Sequence, residues 1–73
     1  MGVDTAQMIR DALAFDGRIN EADLVVLFGD GVVTLRGVLF SERQKEATED
    51  IVRHVPGVER VVNEILVMDV AGQ

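Results

Sequence analysis

Apolar residues fall into two periodicities along this chain. Over residues 5–15, Met8, Ile9, Ala12, Leu13 and Phe15 recur on one broad stripe at helical spacing, which predicts an amphipathic helix. Asp4 stands at its N-cap, with Gln7 at the third helical position as a variant capping box and Val3 and Met8 placed as a hydrophobic staple. Asp16-Gly17 supplies the left-handed stop. The pattern then changes to β-rich runs, Leu24–Phe28 and Val32–Leu39, separated by Gly29-Asp30-Gly31. Such runs around Asp-Gly predict a hairpin with Gly31 at positive φ. A two-residue turn at Asp30-Gly31 sets Phe28 opposite Val33, Val26 opposite Leu35 and Leu24 opposite Gly37, with every apolar partner on one face. A three-residue loop would set Val26 against Thr34 and mix the faces, because a one-residue slip flips all side chains.

Helical spacing returns after Phe40. Ser41 caps a second helix and Gln44 completes its capping box. Gln44, Ala47, Thr48, Ile51 and Val55 form the stripe, with Val52 on its flank. Glu49 and Arg53 stand at i and i+4, and Arg53 and His54 sit where positive charge suits the helix dipole. Pro56-Gly57 ends the helix, a last strand runs from about Val58 to Met68, and residues 69–73 read as a frayed end. The order αββαβ predicts an α+β domain: a three-stranded mixed β-sheet with two helices packed on one face. The hairpin is antiparallel, and the second helix joins strands that run parallel. Alternation in the last strand turns Asn63 toward the core with Val61, Ile65 and Val67, where its amide needs partners. A neighbouring loop backbone is the expected one.

The outer face of that sheet is less polar than a wet face normally is. Val25, Leu27, Val38, Val62, Leu66 and Met68 point away from the helices, and only Thr34, Arg36 and Glu64 dilute them. Phe40 extends the set, since Lys45 occupies its stapling position and leaves it no local partner. Val25, Leu27, Leu66 and Met68 are expected to cluster once the strands pair, with Val62 beside them and Val38 and Phe40 at one edge. A contiguous apolar patch of this kind marks an interaction face.

Composition narrows the function. At 73 residues the chain is a single domain, residues 1–73 with a core of about 4–68, and it has little room for a deep cleft beside its core. Thirteen acids against seven basic residues leave a net charge of −6. That opposes nucleic-acid binding and simple docking on anionic lipid. A cytoplasmic location is expected of the chain as written, because Met1-Gly2-Val3-Asp4 opens no export signal. A periplasmic or envelope location is expected if it is part of a longer exported protein. Arg18, Arg36 and Arg60 are the residues from which a local basic patch could be assembled.

No constellation for catalysis, cofactor or metal is expected. His54 is the only histidine, and cysteine is absent, whereas zinc needs several converging ligands. The acids lack calcium-loop spacing, and Gly29-Asp30-Gly31 joins two strands without opening a helix, so it is a turn and no phosphate cradle. Glu42, Glu46, Glu49 and Asp50 read as a solvated helix face.

Together the motifs resemble the BON domain family of bacterial osmotic-stress and nodulation proteins. Ala12-Leu13 matches the early helix, and Asp30-Gly31-Val32-Val33-Thr34-Leu35-Arg36-Gly37 matches D-G-x-V-x-L-x-G. Ala47 matches the second helix, and the run from Gly57 to Val67 matches G-V-x-x-V-x-N-x-L-x-V with Ile65 for Leu. The resemblance spans residues 4 to 68. It marks Asp30, Gly31, Gly37, Gly57 and Asn63 as structural positions. It implies an αββαβ fold, no catalysis, and attachment to phospholipid membranes or envelope proteins. Family members tend to be polar at positions matching Val25, Leu27, Leu66 and Met68, so the apolar outer face is a departure. The expected function is therefore a non-catalytic module that associates with a protein partner, or with itself as a homodimer, through that face. Membrane phospholipid association is the alternative.

Overall fold

A computed structural model describes residues 4–17, 19 and 24–68. The expected Val3–Met8 staple, Arg18 and the chain end at 69–73 lie outside the described residues. The elements follow the order α1 (Thr5–Asp16), β1 (Leu24–Gly29), β2 (Val32–Leu39), α2 (Glu42–Arg53) and β3 (Arg60–Val67).

Both helices begin on capping side chains. The Asp4 carboxylate accepts from the Ala6 N–H, and Ser41 Oγ accepts from the Gln44 N–H. The reciprocal halves of the two boxes differ from expectation. Gln7 donates to Asp11 one turn on, and Gln44 Oε1 accepts from the N–H of Phe40 in place of that of Ser41. Gly17 ends α1 with φ 82°, and His54 caps α2. The i and i+4 pair Glu49–Arg53 does not form. Arg53 meets Asp50 at 3.4 Å, and Glu49 is engaged by Asn63.

The turn is the two-residue one. Asp30 has φ 52° and Gly31 φ 80°, so both central residues are left-handed, as a type I′ hairpin turn requires. The pairs are Phe28 with Val33, Val26 with Leu35 and Leu24 with Gly37. Strand order is β1-β2-β3, antiparallel then parallel. The turn also anchors β3. The Gly31 carbonyl accepts from the N–H groups of Glu59 (2.7 Å) and Arg60 (3.1 Å). Gly37 and Gly57 hold φ values of 145° and 97°.

The core lies between the inner sheet face and the two helices. Ile9 and Leu13 of α1 and Thr48 and Val52 of α2 meet Val33, Leu35 and Ile65 there, all fully or almost fully buried. Thr48 satisfies its hydroxyl by donating to the Gln44 carbonyl. Two stripe assignments change. Val52 is central, with Ile51 partly buried beside it. Phe15 is 92% exposed. It stands two residues, or about 200° of helical rotation, beyond Leu13, so a helix that buries Ile9 and Leu13 turns Phe15 outward.

Candidate interaction face

Alternation along a strand sends successive side chains to opposite faces, and pairing decides which outward residues become neighbours. Across the outer face the structure forms rows. Leu27, Thr34 and Val62 make one, and Val25, Arg36 and Glu64 the next. Val38 and Leu66 pair in a third. Beyond it, the Met68 N–H donates to the Leu39 carbonyl at 2.8 Å and extends the ladder toward Phe40. Of the seven large apolar side chains that stand exposed among the described residues, six lie on this side: Val25, Leu27, Val38, Phe40, Leu66 and Met68. The seventh is Phe15. Val62 is half-buried, between Thr34 across the ladder and Arg60 and Glu64 along its own strand.

The expected single cluster of Val25, Leu27, Leu66 and Met68 does not form. β2 separates β1 from β3, which places them about 10 Å apart, and β2 presents Thr34 and Arg36 in the gap. Arg36 Nε donates to Glu64 Oε1 at 2.8 Å, with both side chains about half exposed. An exposed pair like this adds at most about 1 kcal/mol to stability. Its importance is positional: it divides the apolar surface into two lobes, and covering it would require removing both charges from water. One lobe holds Val25, Leu27 and Val62. The other holds Val38, Phe40, Leu66 and Met68, and among the described residues its row, Val38 with Leu66, carries no charge.

The same pair takes Arg36 out of the three arginines from which a basic patch could have been assembled, and of these only Arg60 is left unpaired among the described residues. Asn63 is half-buried, and its partner is helix α2, where a loop was expected. Its amide donates to the Lys45 carbonyl (3.4 Å) and Glu49 Oε1 (3.2 Å), while its Oδ1 accepts from the Ile65 N–H (3.1 Å). Glu49 is therefore partly enclosed, unlike exposed Glu42, Glu46 and Asp50. His54 is exposed and its Nδ1 lies 2.7 Å from the Asp50 carbonyl. Among the described residues no group of three or more His, Cys, Asp or Glu converges as a metal site, and no helix is long and apolar enough to cross a membrane.

No curated protein matches the chain. The family model for the BON domain matches it over residues 3–69. The chain thus belongs to the BON domain family, whose members generally serve as non-catalytic modules that bind phospholipid membranes or act as interaction modules.

Proposed function

We propose that this BON domain docks a protein partner on the outer face of its sheet, a second copy included. The observation that carries this reading is that, among the described residues, six exposed apolar side chains stand in two lobes on the sheet face opposite the helices. Water disfavours such a surface by roughly 25 cal/mol for each Å² that a partner could cover. The net charge of −6 favours a protein over an anionic membrane as that partner. Three strands about 4.8 Å apart and about 26 Å long give a footprint on the order of 400 Å². A stable interface takes about 800 Å² from each partner, so the face of one copy supports weak, reversible association.

The test is the double substitution Leu27→Glu with Leu66→Glu. Both side chains are exposed, so circular dichroism should stay native while concentration-dependent light scattering, or capture of the partner, is lost. A double variant that unfolds would show that these side chains belong to the core. Flotation with neutral and anionic vesicles tests the lipid alternative. Little binding to either is expected, and strong, salt-sensitive retention on anionic vesicles would overturn the preference for protein.

A further inference from the structure

We propose that the open edge of β1 pairs with the same edge of a second copy, antiparallel about a two-fold axis at Val26, making one six-stranded sheet. The groups that pair are the outward N–H and C=O groups of the β1 edge; Val25 and Leu27 are shared with the outer face, whereas Leu66 belongs to that face alone. The order β1-β2-β3 leaves two edges, and they are guarded differently. The ladder bonds of β3 run from Arg60 to the Gly31 carbonyl and from Met68 to the Leu39 carbonyl. The Ile65 N–H, an odd number of residues from either, therefore points to the open side, where Asn63 Oδ1 already occupies it. Arg60 and Glu64 add charge along that strand.

β1 carries no such device. Its sequence, Leu24-Val25-Val26-Leu27-Phe28-Gly29, has no charge and no proline. A two-residue turn makes Gly29 and Val32 a hydrogen-bonded pair, and the alternation continues through Leu27–Thr34 and Val25–Arg36. Leu24, Val26 and Phe28 then direct their N–H and C=O groups away from β2. Among the described residues, no hydrogen bond outside the sheet reaches these groups. Natural sheets blunt exposed edges with charge, proline, bulges or a covering segment, and among the described residues only β3 shows a guard.

The edge is complementary to itself. With the axis at Val26, that residue forms a hydrogen-bonded pair with its own copy, and Leu24 pairs with the second copy's Phe28 on either side. These three residues all face the helices, so the cores of the two copies are undisturbed. Val25 then stands opposite the second copy's Leu27 in the closer, non-hydrogen-bonded positions. Four exposed apolar side chains meet, and the two outer faces join into a footprint on the order of 800 Å², the size a stable protein interface takes from one partner.

Amide hydrogen exchange read residue by residue tests this. As the concentration rises from micromolar to millimolar, the amides of Leu24, Val26 and Phe28 should gain protection, and those of Val25 and Leu27, already bonded to β2, should not change. A dimer that forms without that alternation, or no dimer at millimolar concentration, would overturn the proposal. The second arm mixes Val25→Lys/Leu27→Lys with Val25→Glu/Leu27→Glu. Each variant should be a folded monomer alone, and the mixture should give a heterodimer with the same alternating protection. If either charged variant dimerises like the wild type, edge pairing is wrong. Leu66→Glu separates the two surfaces: it should weaken docking on the outer face and leave β1 pairing intact.

Discussion

Replacing Asn63 by Ala should destabilise the fold by about 2 kcal/mol, because one amide joins three partners. Its contact with the Ile65 N–H at 3.1 Å has ordinary length, and those to Glu49 and the Lys45 carbonyl, at 3.2 and 3.4 Å, are long. A net hydrogen bond contributes about 0.5–1.5 kcal/mol. Taking the long ones at the low end and the short one near the middle gives that figure. In a domain of this size each kcal/mol shifts the melting temperature by about 4–8 °C, so a fall of about 8–16 °C is expected in thermal unfolding followed by circular dichroism. Asn63→Asp should be worse than Asn63→Ala. It keeps the acceptor for Ile65 and sets a carboxylate against Glu49 and a carbonyl oxygen. Added salt should recover part of the difference, and a second change, Glu49→Gln, should recover more by supplying a donor. A melting temperature for Asn63→Ala within about 2 °C of wild type would refute the reasoning, since it corresponds to less than about 0.5 kcal/mol. So would an Asp variant more stable than the Ala variant at neutral pH.

Gly31→Val should lower the melting temperature. The residue sits at φ 80°, and a Cβ there would lie 2.9 Å from Glu59 Cδ. Gly31→Asn should be milder, since Asn tolerates the left-handed region and the Glu59 side chain can move; equal melting temperatures for wild type and the Val variant would contradict the turn. Phe15→Ser should change stability by no more than about 0.5 kcal/mol in chemical denaturation, because the ring is exposed; a loss of about 2 kcal/mol or more, as truncating a core side chain costs, would put Phe15 in the core.

Much of this molecule is decided locally, and that part can be read from residue order alone. Asp30-Gly31 admits one tight turn, and the period-two alternation on either side of it admits one register that keeps Val26, Phe28, Val33 and Leu35 together. Caps at Asp4, Ser41 and Gly17 depend on residues within one helical turn, so α1 and α2 begin and α1 ends where the sequence places them. Which arc of a helix is buried depends on the surface it meets. The apolar stripe of α1 is broad enough in sequence to include Phe15, and contact through Ile9 and Leu13 turns that ring to water. The same holds for the partners of Asn63 and Glu49. Both are long-range, and only the docking of α2 over β3 brings the Lys45 carbonyl and the amide together. The outer face shows the division most plainly. Alternation identifies which residues point outward, but their neighbours depend on strand order. With β2 in the middle, Arg36 and Glu64 pair across the ladder and part Val25 and Leu27 from Leu66 and Met68. Hydrogen bonding between strands distant in sequence sets that order, and no local pattern encodes it.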